Sequence, residues 1–225
     1  MTASAATTTQ PSVRQEVQIK AGSLLLNGEL NVPAKATGIV LFAHGSGSSR
    51  HSPRNQYVAT VIRNAGVGTL LFDLLTSEEE VIDNYTREFR FDINLLARRL
   101  VAATNWLARE NETSRLRPGY FGASTGGAAA LVATAFLENK VGAVVSRGGR
   151  PDLAGEALIN VKAPTLLIVG GLDGPVIKMN QEAYEQLRCV KELKIIPGAT
   201  HLFEEPGKLE EVARLAANWF LNHLR

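Results

Sequence analysis

The sequence predicts a protein of the α/β class, with a mostly parallel sheet covered by helices on both faces. From Val13 onward, short apolar runs alternate with amphipathic stretches, as they do where strands alternate with helices. The 225 residues suit one domain, because α/β folds often reach about 200 residues as a single unit. With 45% hydrophobic and 20% charged residues, the composition is globular and excludes disordered, collagen-like and coiled-coil classes.

The chain divides into a short tail and one domain. Residues 1–12 are mostly Ala, Thr and Ser, and we predict a disordered tail there, with no secretory signal, followed by a single domain over residues 13–225. No apolar run approaches the roughly 18 residues that span a bilayer. The net charge of +2 gives no reason to expect nucleic acid or a membrane surface as a partner. Cys189, the lone cysteine, is compatible with a reducing cytoplasm.

The first half of the domain opens with a predicted antiparallel hairpin at a sheet edge. Its apolar runs, 17–20 and Leu24–Val32, are separated by only three residues, one of them glycine. The unbroken apolar run Gly38–Ala43 predicts a buried strand. A helix follows over 53–65, because proline is tolerated in a first turn, and then a strand over 68–73.

The second half continues the alternation after an acidic stretch, 77–85, in which we interpret Glu78 to Glu80 as a solvated loop. Apolar residues at steps of three and four then predict a long helix, Ile93–Leu107. The remaining predicted strands are 120–123, 141–146, 165–169 and 193–196, and the remaining helices are 125–138, 176–187 and 209–219.

The strongest functional signal is a G-x-S-x-G motif centred on Ser124, between a predicted strand and a predicted helix. This context is typical of a nucleophile elbow, where small residues allow a tight turn that presents the serine above the sheet. The alternative is a small-residue turn in which Ser124 caps the helix.

Two later residues complete a predicted Ser-His-Asp triad. Asp173 follows the strand at 165–169, and His201 lies in the loop after the last strand. The chain order of serine, acid and histidine matches the α/β-hydrolase arrangement, whose members converge at the carboxyl ends of the strands. Asp152, and more distantly Asp73, compete with Asp173 as the acid.

An oxyanion hole is predicted beside the serine. One donor is the amide of Thr125, and the other is the amide of Ser46 in the turn His44-Gly45-Ser46-Gly47, with Gly47 as an alternative. The four histidines lie in separate segments without zinc-site spacing, so we expect no metal.

Four stretches carry a family resemblance: HGSGSSRHSPRN (44–55), GASTGG (122–127), SRGGRPDL (146–153) and GATHLFEEPG (198–207). From about Val13 to its end the chain resembles the α/β-hydrolase superfamily and, within it, the dienelactone-hydrolase-like group, in the form of the hydrolase module found alone or attached to bacterial phosphoribosyltransferases. The resemblance implies an eight-stranded sheet, the triad Ser124, Asp173 and His201, and no cofactor. True dienelactone hydrolases carry cysteine where this chain has Ser124, which argues against dienelactone as the substrate. Only about 18 residues separate the strands at 141–146 and 165–169, so we expect no lid domain.

Two alternative hypotheses for the function remain open. A dinucleotide-binding domain would use Gly45 and Gly47 with Asp73, but Arg50 stands where its third glycine is required. A non-catalytic interaction module with a hydrolase fold would leave Ser124 unreactive.

The sequence therefore predicts a serine hydrolase of small soluble esters, lactones or thioesters. Four arginines follow strands at the edge that carries Ser124, and they could bind a carboxylate or phosphate of an anionic substrate. The alternative, which we favour, is that Asp152, Glu204, Glu205 or the acidic stretch pairs with them. The four are Arg50, Arg54, Arg147 and Arg150.

Overall fold

The computed structural model describes residues 12–224, so the predicted disordered tail lies, apart from Ser12, outside the described residues. The strands are β1 (Val13–Ala21), β2 (Leu24–Val32), β3 (Gly38–Ala43), β4 (Gly68–Phe72), β5 (Arg117–Ala123), β6 (Ala143–Arg147), β7 (Thr165–Gly170) and β8 (Lys191–Ile196). The helices are α1 (Pro53–Asn64), α2 (Ser77–Thr86), α3 (Ile93–Leu107), α4 (Thr125–Leu137), α5 (Gly174–Gln186) and α6 (Lys208–His223), with 3₁₀ segments at Glu138–Lys140 and Pro151–Asn160.

The eight strands form one sheet in the order β1-β2-β4-β3-β5-β6-β7-β8. The predicted hairpin β1–β2 is antiparallel and lies at the edge, and β2 is also antiparallel to β4. Every other pairing, from β4–β3 to β7–β8, is parallel. The loops after β3, β5, β6, β7 and β8 therefore all leave the sheet at the carboxyl ends of the parallel strands, which we call the carboxyl edge. Parallel α/β sheets have their ligand sites at this edge.

Two apolar layers cover the sheet, one on each face. Helices α3 and α4 pack on the first face around side chains such as Leu41 and Leu100. Helices α1 and α6 pack on the second face around side chains such as Val40 and Phe220. The buried face of α3 carries the residues that the periodicity predicted: Ile93, Leu96, Leu100, Ala103 and Leu107.

Local signals fix where the helices begin. Ser52 accepts a hydrogen bond from the Asn55 amide and precedes Pro53, and Asp92 accepts one from the Leu95 amide at 2.8 Å. No helix within residues 12–224 is both long and apolar enough to cross a membrane.

The acidic stretch is a helix, and the prediction of a solvated loop there was wrong. Thr76 accepts a hydrogen bond from the Glu79 amide, and the Glu79 carboxylate accepts one from the Thr76 amide. This reciprocal capping box satisfies two backbone donors and starts α2. Glu78 to Glu80 lie in its first turn, where the helix dipole favours negative charge.

Candidate active site

Ser124 occupies the sharp turn between β5 and α4. Its backbone has φ 51° and ψ −122°, a strained conformation for a residue with a side chain. The turn is tight enough that a Cβ on Gly126 would lie 2.1 Å from the Ala43 carbonyl oxygen, and one on Gly122 would lie 2.5 Å from the Gly126 oxygen. Within the described residues the Ser124 side chain makes no capping hydrogen bond, so the helix-capping alternative is not realised.

Asp173 and His201 are in direct contact. The His201 Nδ1 lies 2.6 Å from Asp173 Oδ2. Asp173 follows β7 and precedes α5, while His201 lies in the loop after β8, so the parallel pairing of these neighbouring strands brings the two loops together. The His201 side chain is 38% exposed and that of Asp173 is 13% exposed. The carboxylate therefore fixes the ring orientation while one side of the imidazole remains accessible.

The loop after β6 connects this pair to the serine turn. The Ser124 amide donates to the Arg147 carbonyl at 3.3 Å, and the Arg150 amide donates to the Ser124 carbonyl at 3.1 Å. Between those contacts, Gly148 packs on the His201 ring, since a Cβ there would lie 3.5 Å from Cε1 and Nδ1. No hydrogen bond joins the Ser124 hydroxyl to His201 in the part of the chain described. Hydrogen bonds between catalytic groups often become short only in the Michaelis or transition-state complex.

The two competing acids have other partners. Asp152 receives two hydrogen bonds from Arg150, at 2.9 and 2.7 Å. Asp73 accepts a hydrogen bond from the Arg50 amide at 2.8 Å and forms an ion pair with the Arg50 side chain. The Asp73 carboxylate is thus bonded to Arg50, the residue that stands in place of the third glycine of the dinucleotide-binding fingerprint. The hypothesis of a dinucleotide-binding domain therefore lacks a free carboxylate to accept hydrogen bonds from the ribose.

The turn after β3 packs directly against the serine. A Cβ on Gly45 would lie 3.1 Å from the Ser124 Cβ, and the Ser48 amide closes the turn on the Gly45 carbonyl at 3.1 Å. Gly47 has φ +67°, which suits the third residue of such a turn. Ser46, Gly47 and Thr125 line one pocket, so both predicted amide donors and the alternative donor adjoin the same space.

His44 holds this turn in place through both ring nitrogens. The Leu74 amide donates to Nε2 at 3.0 Å, so Nδ1 carries the proton that is donated to the Gly45 carbonyl at 3.1 Å. Burial lowers the pKa of His44 below its usual value, which keeps the ring neutral.

The pocket beside the turn is a cavity of about 230 Å³. Residues of α2, of the loop after it and of α3 also line this cavity, and they include both charged and apolar side chains. The lining residues beyond the turn and Thr125 are Leu74, Leu75, Glu80, Asp83, Asn84, Arg90 and Leu96. Burial, reinforced by Asp73, raises the pKa of Glu80.

Three of the four predicted substrate-binding arginines have carboxylate partners. Arg50 pairs with Asp73, Arg54 with Glu204 at 2.8 Å, and Arg150 with Asp152 at 2.7 Å. Glu204 and Asp152 are among the partners that the sequence offered, and Asp73 is not. Arg147 has no carboxylate partner within the described residues.

Two buried residues that position parts of the site were not predicted from the sequence. Asp83 is buried, accepts hydrogen bonds from the Phe89 and Arg90 amides and forms an ion pair with Arg90, which holds the pocket wall. Asn180 is fully buried on α5 and donates to the Gly149 carbonyl at 3.0 Å, which fixes the loop beside His201. The T-x-x-E pattern of Thr76 and Glu79 could have predicted the helix that carries Asp83, although not its contacts. For Asn180, the signal was an asparagine within the apolar stripe of Val176 and Ala183.

No group of three or more His, Cys, Asp and Glu side chains among residues 12–224 is arranged to hold a metal ion.

The chain is similar to known proteins of one hydrolase family. A family model for the dienelactone hydrolase family matches residues 33–223. A crystal structure of a dienelactone hydrolase from Anabaena variabilis is 62% identical, with a TM-score of 0.94 over 96% of this chain and 100% of the other. Est1E from Butyrivibrio proteoclasticus (TM-score 0.77, covering 92% of this chain and 98% of the other) and a dienelactone hydrolase-like promiscuous phosphotriesterase, P91, from metagenomic libraries (TM-score 0.76, covering 96% and 100%) share the fold at 16% identity.

Two Mycobacterium tuberculosis proteins with a provisional phosphoribosyl transferase name are 59% identical over 210 residues. The match covers 93% of this chain but 46% of those proteins, so the chain spans about half the length of these relatives. The family match, the fold and the elbow all agree: the chain belongs to the dienelactone hydrolase family.

Proposed function

We propose that the protein is a serine hydrolase that cleaves a small carboxylic ester, lactone or thioester through an acyl-enzyme intermediate. The observation that carries this proposal is the 2.6 Å contact between His201 and Asp173, on loops that flank the strained turn of Ser124. A histidine oriented by a buried carboxylate beside a serine at an elbow is the arrangement that activates a serine hydroxyl.

The proposed reaction has two halves. The Ser124 Oγ attacks the acyl carbon and its proton passes to His201 Nε2, while Asp173 holds Nδ1 and stabilises the imidazolium. His201 then protonates the departing oxygen or sulfur as its bond to the acyl carbon breaks. A water molecule, deprotonated by the same nitrogen, attacks the acyl-enzyme, and the proton returns to Ser124 as the acid leaves.

The amides of Thr125 and Ser46 are the proposed donors to the oxyanion of each tetrahedral intermediate. The Thr125 amide lies in the first turn of α4, where backbone amides lack intrahelical partners. Gly45, packed on Ser124, holds the second donor close to the reacting carbon. Removal of one such donor typically costs about 100- to 1,000-fold in rate.

The pocket beside the predicted oxyanion donors is small, and we propose that it receives one part of the substrate. A cavity of about 230 Å³ is below the roughly 300 to 1,000 Å³ of pockets for drug-sized ligands. Its mixed polar and apolar lining suits a short chain with polar substituents. We propose that the reaction takes place in the cytoplasm and needs no cofactor, whether the chain acts alone or joined to a second unit, as the length of its relatives suggests.

A matched pair of measurements separates this proposal from a non-catalytic interaction module. Ser124→Ala should lower turnover of 4-nitrophenyl acetate by about 10⁴- to 10⁶-fold without loss of fold, because triad members act as a unit. The wild type should be labelled by a fluorophosphonate probe and the variant should not. A variant that keeps more than a tenth of the activity would remove Ser124 from the mechanism, and an unlabelled wild type would favour the interaction module.

A further inference from the structure

Arg147 differs from the three arginines around it in having no counter-ion. Each of the others is neutralised by a carboxylate: Asp73, Glu204 or Asp152. Arg147 forms no ion pair with any residue from 12 to 224. A positive charge therefore remains at the carboxyl edge of the sheet.

This uncompensated guanidinium is also buried. Arg147 is 7% exposed, and its Nε and Nη1 atoms are enclosed without a hydrogen-bond partner among the described residues. Burial, together with the nearby charge of Arg54, lowers the pKa of Arg147 to about 10, so the group is still charged at neutral pH. A buried charge without a partner is strongly unfavourable, and an anion supplied from outside the chain would remove most of that cost.

The position of Arg147 ties it to the proposed active site. It is the last residue of β6 and lies beside Ala123, the last residue of β5, and the amide of the following Ser124 donates to the Arg147 carbonyl. The residue after it, Gly148, packs on the His201 ring. Side chains alternate along a strand, so Arg147 shares the face of Val145, toward α1 and α6, where Arg54 and the His201 loop carrying Glu204 also lie.

We propose, on the basis of the proposed serine hydrolase activity, that Arg147 binds a carboxylate or phosphate group of the substrate on the His201 side of the site. The preferred substrate is then an anionic ester. The planar fork of arginine suits both anions. Arg54 adds positive charge to this side but is held by Glu204, so Arg147 supplies the unpaired charge.

The first test compares kcat/KM for matched esters in the wild type, Arg147→Gln and Arg147→Lys. Suitable pairs are mono-4-nitrophenyl succinate against 4-nitrophenyl butyrate, for a charge on the acyl part, and 3-acetoxybenzoate or 3-acetoxyphenyl phosphate against phenyl acetate, for a charge on the alcohol part. The preference for the anionic member of at least one pair should fall about 10- to 150-fold in Arg147→Gln and less in Arg147→Lys. Arg150→Gln, in the same loop but with a carboxylate partner, is the matched control and should keep the wild-type preference.

An equal change on both members of every pair, or the same loss in Arg150→Gln, would overturn the inference while leaving the hydrolase proposal intact. The succinate, benzoate and phosphate esters distinguish which anion is taken and on which side of the scissile bond.

The second test does not depend on catalysis. Inorganic phosphate and succinate should raise the melting temperature of the wild type, and of Ser124→Ala, by binding the folded state, and should not raise that of Arg147→Gln. In the absence of anions, Arg147→Gln should melt at or above the wild-type temperature, because it removes an unpaired buried charge. A large drop in that temperature, or an anion response retained by the variant, would assign Arg147 a structural role instead.

Discussion

His44 connects the turn after β3 to the segment that follows β4, and its ring is neutral in this role. Its Nε2 must accept from the Leu74 amide, which a protonated imidazole cannot do. The same proton that would charge the ring would therefore also break the contact between this turn and the segment that follows β4. A residue outside the proposed triad thus links proton binding to the geometry of the site.

This coupling predicts a pH dependence of stability. Burial holds the pKa of His44 below the ordinary 6.5, so in this range the unfolded chain binds more protons than the folded protein. The contribution of His44 to the free energy of unfolding is complete above pH 6.5 and declines as the pH falls toward the depressed pKa. Urea unfolding at pH 7.5 and 5.5 should show a smaller loss in His44→Asn than in the wild type. Equal losses would contradict the assignment.

Asp173 is predicted to matter far more than the other candidate acids. Asp173→Asn should cost on the order of 10⁴-fold in kcat, because an amide beside Nδ1 stabilises the wrong tautomer of His201. Asp152→Asn is the control, since its carboxylate bonds to Arg150. Ester hydrolysis measures both, and a larger loss in Asp152→Asn would show that the acid is misassigned.

At this scale, chain order predicted the serine, the acid and the histidine because each follows a strand of a parallel sheet. The ion-pair partners of the arginines were harder to predict from the sequence. Arg54 and Glu204 are 150 residues apart, and which of several nearby acids takes a given arginine depends on side-chain geometry. The burial of Arg147 was equally invisible, since a residue type that is almost always exposed gives no sequence signal for burial.

Among the elements, α2 is attached to the protein mainly through polar contacts. Its one buried residue is Asp83, whereas Val81, Ile82 and Tyr85 are exposed. Arg99 on α3 holds Glu79 at 2.6 Å, and Asp83 holds the following loop. Because α2 also supplies Glu80 and Asn84 to the pocket wall, the stability of this helix bears on the shape of the site.

The cap of α2 is expected to control its local opening. Thr76→Ala removes the hydroxyl that accepts from the Glu79 amide, a loss typically of about 1 kcal/mol. Amide hydrogen exchange over residues 77–86 should accelerate about fivefold, while exchange in α4 stays at the wild-type rate. An unchanged rate over 77–86 would mean that the side-chain contacts of Glu79 and Asp83, rather than the cap, hold the helix.

Periodicity predicted most elements but not the full edge strand or α2. Strand β1 begins at Val13 rather than at residue 17, because Arg14, Gln15 and Glu16 are exposed at the sheet edge and show no apolar alternation. Pairing with the whole length of β2, from Val13 opposite Val32 onward, extends the strand. In α2 the apolar side chains face outward, so the pattern on which such predictions rest was absent.

In the molecule as a whole, the carboxyl ends of the strands carry the proposed site, and their amino ends carry tight apolar packing. The carboxyl edge carries Ser124 and the loops around it. At the amino edge, Leu224 is fully buried after α6 and packs near the starts of β3, β5 and β6. A Cβ built on Gly38, Gly119 or Gly142 would lie between 2.6 and 3.2 Å from the Leu224 side chain. Gly119 on β5 lies five residues before Ser124, a distance of roughly 16 Å at the rise of a strand, and this distance separates the packing from the proposed chemistry.

That separation predicts a loss of stability without a loss of activity. Leu224→Ala should lower the free energy of unfolding by about 2 to 5 kcal/mol, since rigid strand backbones on three sides leave a cavity that cannot collapse. Leu221→Ala, one turn earlier and only half-buried, is the matched control and should cost less. Urea unfolding measures both, and kcat/KM of Leu224→Ala, determined well below its melting temperature, should equal that of the wild type. A reduced kcat/KM in the folded variant would mean that packing at the amino edge reaches the serine turn through β5, and the two edges would then have to be treated as one coupled unit.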